Sequence, residues 1–317
     1  MKKIIAVIIG IVVLLTAGVY IFIGSQLNVS KVVFATCSVR GANRILSDKS
    51  QWPRWWPDSS QQKQAAAPYQ NITYSYQGDT YTITNLLFNT VLINIGHQED
   101  TINSILSLVS ITPDSVAIEW KWSVSTGLNP LRRIRQYNRA VELKEKMSAI
   151  LSSLQTFLSG KERLYGMNIE ETISKDSTLL ATRFSSAGYP TVTDIYSAIN
   201  KLKDYISQQG ASATNYPMLH VKKTTDSTFE ATIAIPTNKQ LSGNASFYFV
   251  RFVPWKVLGG TVRGGNATVN EALKQLQLYT EDHRRTIMAI PFQSLITDRS
   301  LERDTSQWVT TIYVPVS

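Results

Sequence analysis

The chain has 317 residues, of which 43% are hydrophobic and 17% charged, and its formal net charge at pH 7 is +9. This length accommodates two domains of ordinary size, and the composition excludes a disordered or low-complexity chain. The single cysteine, Cys37, excludes an intramolecular disulfide and a cysteine-rich zinc site.

An unbroken apolar run, residues 4–24, follows Lys2 and Lys3. Its length matches the ~20 residues with which a helix crosses a bilayer. The run lacks the small-x-small cleavage site of a signal peptide, so we expect an uncleaved transmembrane anchor at residues 1–24. The positive-inside rule predicts a single-pass protein with a cytoplasmic N-terminus and its folded domains on the outer, periplasmic side.

Residues 31–160 predict one domain. A short strand (32–35) and a short helix (38–46) come first, and five strands separated by turn formers follow at 72–76, 81–84, 91–95, 105–109 and 116–124. A long helix at 129–160 ends the domain. Asn129 is suited to cap this helix and Pro130 to begin it, and Gly160 predicts a left-handed terminator.

The long helix carries one apolar stripe with steps of three and four residues: Ala140, Leu143, Met147, Ile150, Leu154 and Phe157. We expect the stripe to pack within the chain; a coiled-coil seam is the alternative. Glu142 and Lys146 are spaced as a supporting ion pair. The helix begins with four arginines: Arg132, Arg133, Arg135 and Arg139. On an exported domain, such a cluster indicates a solvated face or contact with anionic lipid headgroups more than contact with nucleic acid.

Two groups of tryptophans stand out in this domain. Asp48, Trp52, Trp55 and Trp56 follow the early strand and helix, and Trp120-Lys121-Trp122 leads through Asn129-Pro130 into the long helix. With this order, residues 31–159 resemble the START/polyketide-cyclase-like (SRPBCC) helix-grip superfamily, in which many members have an aspartate followed by tryptophans. The resemblance implies a curved antiparallel sheet closed over the long helix, with an apolar cavity between them.

Aromatic rings are well suited to line such a cavity, which predicts ligand contacts from Trp55, Trp56, Trp120 and Trp122. Two other interpretations stay open. Trp52 and Trp55 could plug the mouth of the fold and pack on the helix, or the rings could rest at a membrane interface, where tryptophan is enriched.

Residues 165–317 show one pattern twice. The first copy is strand 179–184, helix 191–209 and strands 218–221 and 229–235; the second is strand 247–253, helix 269–283 and strands 286–296 and 308–314. Two strand-helix-strand-strand units side by side bury their sheet faces and leave a groove at a pseudo-twofold seam.

Short motifs punctuate these strands: Tyr216-Pro217, Ala234-Ile235-Pro236, Val253-Pro254-Trp255 ahead of Gly259-Gly260, and the closing run 308–316. With them, residues 179–316 resemble the gyrase-inhibitor-like (GyrI-like) effector-binding domain of multidrug-responsive regulators. The resemblance implies ligand contacts from Tyr216, Trp255 and Gln293. The DNA-binding segment that commonly precedes this domain in regulators is absent, so we expect no nucleic-acid partner.

The family usually carries a buried glutamate in a Pro-x-Glu-x-Tyr setting on the penultimate strand. Aligned on Pro291 and Asp298, these two positions are Gln293 and Leu295. A buried glutamate attracts lipophilic cations because its charge lacks another partner. Gln293 is uncharged, so we expect a neutral or mixed apolar ligand, and we do not expect the hydrolase activity of some relatives.

Patterns of other catalytic classes are missing from the sequence. His97, His220 and His283 lie in separate segments without the spacing of metal ligands. The glycine-rich segment 259–265 lacks the Lys-Ser/Thr ending of a phosphate loop. We therefore expect no metal, no cofactor and no catalytic residue.

Together these patterns predict an α+β protein with a transmembrane helix at 1–24, a helix-grip domain at 31–160 and a GyrI-like domain at 165–317. The expected function is non-enzymatic binding of hydrophobic small molecules or lipids by a membrane-anchored sensor or carrier. The alternatives are a hydrolase- or cyclase-type enzyme acting on apolar small molecules, and a structural partner of an envelope complex.

Overall fold

The chain divides into two compact units, Met1–Gly160 and Lys161–Ser317. The computed structural model describes residues 2–58, 72–97, 100–174, 178–251 and 255–317. Each unit combines α-helices with one antiparallel sheet, which confirms the predicted α+β class. The finer domain limits 1–24, 31–160 and 165–317 stay predictions.

The first helix, α1 (Lys2–Phe22), is the apolar segment at the start of the chain. Its span Lys3–Phe22 has a mean hydropathy of 2.9 and is long and apolar enough to cross a membrane by length and composition. Most of its described side chains are exposed, including Leu14 by 74% and Ile21 by 77%. Such a helix reaches a low free energy in water only when something apolar covers it.

The first unit continues with a six-stranded sheet in the order β1-β6-β5-β4-β3-β2. The helix α2 (Val39–Ser47) and a 3-10 helix (Lys49–Arg54) lie between the first two strands. Alternate residues of the strands are buried, as expected for a sheet with one face on a core. The strands are β1 (Gln26–Ala35), β2 (Ile72–Tyr76), β3 (Asp79–Leu87), β4 (Thr90–His97), β5 (Asp100–Thr112) and β6 (Ser115–Ser125).

The long helix, α3 (Pro130–Leu158), ends the first unit and packs alongside β1. The Asn129 side chain accepts hydrogen bonds from the backbone N–H groups of Leu131 and Arg132, so the predicted cap is confirmed. All six residues of the predicted apolar stripe are buried, and packing within the chain is therefore confirmed. The Glu142–Lys146 pair is also present, with 2.7 Å between Oε1 and Nζ.

The predicted left-handed terminator at Gly160 is wrong, since its φ is not positive. Gly160 N donates to Phe157 O, and the chain enters the short helix α4 (Lys161–Tyr165) at the next residue. The left-handed glycine that ends this helical pair is Gly166, with φ +73°. The terminator therefore comes after α4 and not between the two helices.

The second unit is one eight-stranded sheet with two longer helices. Its elements are β7 (Ile169–Ile173), β8 (Thr178–Ala187), α5 (Val192–Gln208), β9 (Met218–Lys223), β10 (Thr228–Pro236), β11 (Tyr248–Arg251), β12 (Lys256–Arg263), α6 (Asn266–Asp282), β13 (Phe292–Leu295), a 3-10 helix (Thr305–Gln307) and β14 (Val309–Val316).

The strand order of this sheet is β11-β8-β10-β9-β13-β14-β12-β7. The segments β8-α5-β9-β10 and β12-α6-β13-β14 repeat one order of elements, and β9 and β13 meet at the centre through two register pairs. Helix α5 packs on β8 and β10, and α6 packs on β12 and β14.

The prediction that strand 247–253 begins the second repeat is wrong. Its described part, β11, pairs with β8 at the edge of the sheet, and residues 252–254 lie outside the described residues. The strand that begins the repeat is β12, which contains Gly259 and Gly260 of the glycine-rich segment 259–265. A Cβ at Gly260 would lie 2.4 Å from Met167 Sδ, so glycine is used here to let the neighbour approach the strand.

Gly264, between β12 and α6, is a second position where only glycine fits without strain. Its φ is +144°, and a Cβ would lie 2.5 Å from Thr268 Oγ1. We expect Gly264→Ala to lower the free energy of unfolding by about 1–3 kcal/mol because alanine is strained in this conformation. Differential scanning calorimetry measures the loss. At Gly265 the φ is −77° and the nearest atom to a Cβ is 3.5 Å away, so Gly265→Ala is the matched control. Equal losses for the two variants would contradict the backbone explanation.

Candidate functional site

An aromatic cluster occupies the centre of the first unit. Trp52 lies 4.7 Å from Trp55 and 5.9 Å from Tyr74 between ring centroids, and Trp56 lies 5.0 Å from Tyr74. Tyr81 continues the cluster with centroids 5.4 Å from Trp56 and 5.9 Å from the Trp120 ring. These are contact distances for aromatic pairs, so the rings pack against one another.

Hydrogen bonds hold three tryptophans of this cluster in place. Trp52 Nε1 donates to Leu46 O at the end of α2, and Trp56 Nε1 donates to Ser75 O of β2. Trp120 Nε1 donates to Ser104 Oγ on the neighbouring strand. The predicted residue Trp122 is also buried, but its Nε1 contacts Met147 Sδ on α3. The rings are therefore buried within the unit, and none of them is placed on an exposed face.

Three polar atoms of the aromatic cluster have no hydrogen-bond partner among the described residues: Trp55 Nε1, Tyr74 Oη and Tyr81 Oη. An unpaired buried polar group costs about 1–3 kcal/mol. Burial raises the pKa of Tyr74 to about 12, and burial with the nearby Asp79 carboxylate raises the pKa of Tyr81 as well. Both phenols therefore stay protonated and are hydrogen-bond donors.

A buried group of charges borders the same core. Lys146 Nζ of α3 lies 2.8 Å from Asp79 Oδ2 and donates to Gln77 O, and Asp79 Oδ1 also contacts His97 Nδ1. The Lys146 and Asp79 side chains are only 6% and 5% exposed. Burial acts to lower the pKa of Lys146, but the hydrogen bonds and charges of Asp79 and Glu142 oppose it, and the pKa is raised overall. Lys146 is thus held as a cation.

The second unit has a cavity of about 160 Å³ at the seam between its two repeats. Strands β9, β13 and β14 form its floor and α6 one wall. The lining is mostly apolar, with a few polar groups: Tyr189, Leu219, His220, Val221, Val269, Asn270, Leu273, Gln277, Pro291, Phe292, Gln293 and Ile312. This is where the repeat predicts a groove, because the register pair Gln293↔Leu219 joins the two repeats.

Gln293 supplies the most notable polar atom of the seam cavity. Its Oε1 is buried and has no donor among the described residues. Burial raises the pKa of the Tyr189 phenol, while a hydrogen bond with the Gln293 side chain and the charge of Arg299 act in the opposite direction. His220 Nδ1 lies 2.8 Å from Pro291 O and must carry a proton, because a carbonyl only accepts. The cavity therefore offers one free acceptor in an apolar surround.

A buried arginine stands beside this cavity. Arg299 is 5% exposed, stacks on Trp308 at 4.8 Å and donates from Nη2 to Thr310 Oγ1 at 2.7 Å. Thr310 and the cavity residue Ile312 lie two apart on β14 and so share one face of the sheet. Within the described parts of the chain the guanidinium forms no ion pair, and its Nε has no acceptor. Burial lowers the pKa of Arg299, as desolvation of a lone cation does.

The other predicted site residues of the second unit do not line the seam cavity. Tyr216 is 48% exposed and precedes β9, and Trp255 precedes β12, where its carbonyl accepts from Ser174 N. Sequence reasoning found Gln293 through the family alignment but missed Tyr189 and Arg299. Both residues lie in connections outside the periodic segments, and no local pattern marks them.

The second unit has two further hollows away from the seam cavity. A groove of about 720 Å³ beside α5 is lined by charges of both signs, including Arg183, Asp194 and Lys201. A cavity of about 190 Å³ lies against Met218, Ser294 and Tyr313. Strand alternation places these residues on the sheet face opposite Leu219 and Ile312. The three histidines remain apart from one another, and no metal-binding group of His, Cys, Asp or Glu is found in the described ranges.

Comparison of the sequence with protein-family models and with curated proteins gives no match. Parts of the chain are similar to solved structures, including the following three. The C-terminal domain of EcmrR is 17% identical, with a TM-score of 0.39, over 48% of this chain and 98% of that one. A START superfamily protein from Mycobacterium smegmatis is 20% identical, with a TM-score of 0.29, over 41% and 97%. A hydrolase from Listeria innocua is 10% identical, with a TM-score of 0.36, over 47% and 92%. Since these TM-scores are low, we take the ligand class from the side chains of this chain.

Proposed function

We propose that the protein is a membrane-anchored, non-enzymatic binder of small hydrophobic molecules, with the seam cavity of the second unit as its binding site. The observation that carries this proposal is the buried Gln293 Oε1, which has no hydrogen-bond donor among the described residues and lies in an apolar cavity. An amide neither gives nor takes a proton near neutral pH, so Gln293 fits recognition better than acid–base chemistry. The length and apolar composition of helix α1 support the anchor. Lys2 and Lys3 before it favour an N-terminus in the cytoplasm by the positive-inside rule.

The size of the cavity limits the ligand. About 160 Å³ is below the ~300–1,000 Å³ of pockets for drug-sized ligands. An apolar cavity of about 150 Å³ is enough to bind benzene in another protein. We therefore propose a ligand, or the inserted end of a larger lipid-like one, with about the bulk of one aromatic ring.

The charges around the cavity limit the ligand further. Gln293 adds no negative charge, and the nearby Arg299 is a buried cation without a carboxylate partner in the described ranges. A cationic ligand would be repelled by Arg299. It would also lose its hydration without gaining an ion pair in the cavity. A neutral ligand with one donor for Gln293 Oε1, or an anionic ligand that neutralises Arg299, fits better.

The polar atoms of the aromatic cluster that have no partner in the described part of the chain favour a second binding site in the first unit. Trp55 Nε1 and the Tyr74 and Tyr81 hydroxyls are donors in a closely packed apolar surround. A guest there would have to part the rings, since their centroids lie at contact distance. We therefore propose that Trp55, Trp56 and Trp120 contact a ligand at this second site.

A charge series of equal size tests the proposed ligand class: benzyl alcohol, benzoate and benzylammonium. We expect the first two to bind the detergent-solubilised full chain at least about tenfold more tightly than benzylammonium, because a buried like charge costs on the order of 1.4 kcal/mol or more. Isothermal titration calorimetry measures the three affinities. Gln293→Glu should reverse the order, since it places a carboxylate in the cavity.

Two variants separate the roles of Gln293 and Arg299 in this experiment. Gln293→Leu should lower the affinity for benzyl alcohol about three- to tenfold because it removes the acceptor. Arg299→Met should lower the affinity for benzoate and leave the affinity for benzyl alcohol nearly unchanged. Tightest binding of benzylammonium by the unaltered chain, or an unchanged order in Gln293→Glu, would refute the assignment of this cavity.

A further inference from the structure

The last turn of α1 is joined to the first unit by an unusually tight junction. Three residues, 23–25, separate α1 from β1. Arg133 of α3 is 6% exposed and donates from Nη1 to Ile23 O at 2.9 Å and from Nε to Gly127 O at 3.0 Å. The buried Thr126 adds bonds from Oγ1 to Gly24 O and from its N–H to Ser25 O. The orientation of α1 relative to this unit is therefore fixed by a closed hydrogen-bond network.

The same junction sets the level of the connection between β6 and α3. The Tyr20 hydroxyl donates to Leu128 O, and the Arg133 guanidinium stacks on the Tyr20 ring at 4.4 Å. Leu128 is therefore level with the last turn of α1. Tyrosine is enriched at the boundary between hydrocarbon and headgroups, so Leu128 lies at that boundary when α1 spans a bilayer.

The surface around this junction has the composition of a membrane-contacting face. We call Phe22, Leu128, Leu131, Arg132 and Arg135 the junction surface. Its three apolar side chains are 87%, 85% and 73% exposed, and the side chains of both arginines are exposed. Large apolar groups beside arginines are the pattern of segments that lie in the interface plane of a membrane.

The chain segments that form the junction surface carry charge of one sign. The sequence has no Asp or Glu before Asp48, and none between Glu119 and Glu142. The partner that complements exposed leucines and exposed arginines at the foot of a membrane helix is a layer of anionic lipid headgroups.

We propose that the junction surface docks onto the anionic headgroups of the membrane that α1 spans, so that the first unit lies against the bilayer in one orientation. Leu128 and Leu131 enter the interface, and Arg132 and Arg135 contact lipid phosphates. This inference rests on the anchor in the proposed function and adds a contact that a freely tethered domain would lack.

The test uses the full chain in nanodiscs of phosphatidylcholine, with or without phosphatidylglycerol. An environment-sensitive NBD label is placed at Leu131→Cys or, as a control on an exposed position of the same helix, at Ser152→Cys. The two sites are about 31 Å apart along α3. The unaltered chain serves as the labelling blank because Cys37 is buried. We expect blue-shifted emission and quenching by nitroxide lipids at position 131 only. Both the blue shift and the quenching should be larger in nanodiscs that contain phosphatidylglycerol.

Charge variants give the size of the effect. The double substitution Arg132→Gln and Arg135→Gln should lower the ratio of docked to undocked label about thirty-fold with phosphatidylglycerol, since each basic residue near an anionic surface contributes roughly a factor of five. Lys201→Gln with Lys203→Gln, an exposed pair on α5, removes the same charge and should leave the ratio unchanged.

Alkaline extraction of the same preparation separates the two proposals. In one outcome the protein stays in the membrane, but aqueous iodide reaches position 131 as readily as position 152. This result would overturn the docking proposal and leave the anchor proposal standing. A label that is shielded but not quenched by nitroxide lipids means contact with protein and also overturns docking. Release by alkali overturns the anchor and, with it, the docking surface.

Discussion

Trp52→Ala is expected to lower the free energy of unfolding of the first unit by about 3–5 kcal/mol. The Trp52 side chain is fully buried, packs on Trp55, Trp56 and Tyr74, and is fixed by the bond from Nε1 to Leu46 O. Its removal leaves a cavity among large rings that cannot collapse without breaking their other contacts, so the cost lies well above that of an average substitution.

Urea unfolding followed by tryptophan fluorescence measures this loss in the detergent-solubilised chain. Trp52, Trp55, Trp56, Trp120 and Trp122 are five of the seven tryptophans, so the signal reports mainly on the first unit. Tyr137→Ala removes a ring of α3 that is 46% exposed and should change the stability by less than about 0.5 kcal/mol. A loss below about 1 kcal/mol for Trp52→Ala would mean that the cluster is not the packed core of the unit.

Local signals are sufficient to predict the long helix. Asn129, Pro130 and the six-residue stripe act within one helix, and α3 begins one residue after the start of the predicted range and ends two residues before its end. The end is mispredicted because Gly160 resembles a terminator, while the structure continues directly into α4. Where a helix ends depends on the packing of the next residues along the chain, and a single glycine does not report that.

Tertiary contacts account for the strand that the sequence pattern misses. Gly259 and Gly260 have poor strand propensity, yet they lie in β12 because Tyr313 and Met167 occupy the space of a Cβ. The same reason limits prediction of the site. Gln293 is found through the family resemblance, but Tyr189 of the cavity and the nearby Arg299 come from connections far apart in sequence, and only the fold brings them together.

The sequence pattern predicts one ion pair of Lys146 correctly but misses its buried partner, Asp79. The spacing from Glu142 predicts a supporting i,i+4 pair, and that pair is present. The stronger partner is Asp79 of β3, which is buried with Lys146 and lies 67 positions earlier in the sequence. Exposed pairs contribute about 0–1 kcal/mol, whereas loss of one partner of a buried pair costs several times more.

Asp79→Leu is therefore expected to destabilise the first unit by about 3–5 kcal/mol, because Lys146 would keep a buried charge opposite an apolar side chain. The double variant Asp79→Leu with Lys146→Met should recover most of this loss, since it removes both charges. Asp226→Asn, at an exposed pair 3.6 Å from Lys223, is the control and should cost less than about 1 kcal/mol. Urea unfolding of the full chain measures all of them.

The pH dependence of the same variants checks the sign of the effect. The folded-state pKa of Lys146 is raised above the ordinary lysine value of 10.5, so its contribution is fully present below that pH and is lost as the pH rises through the folded-state pKa. The stability difference between the unaltered chain and the double variant should therefore be constant from about pH 8, above the range in which carboxylates and imidazoles ordinarily titrate, to about pH 10 and change only above it. A difference that changes between about pH 8 and pH 9 would mean that Lys146 is not held as the charged partner of Asp79.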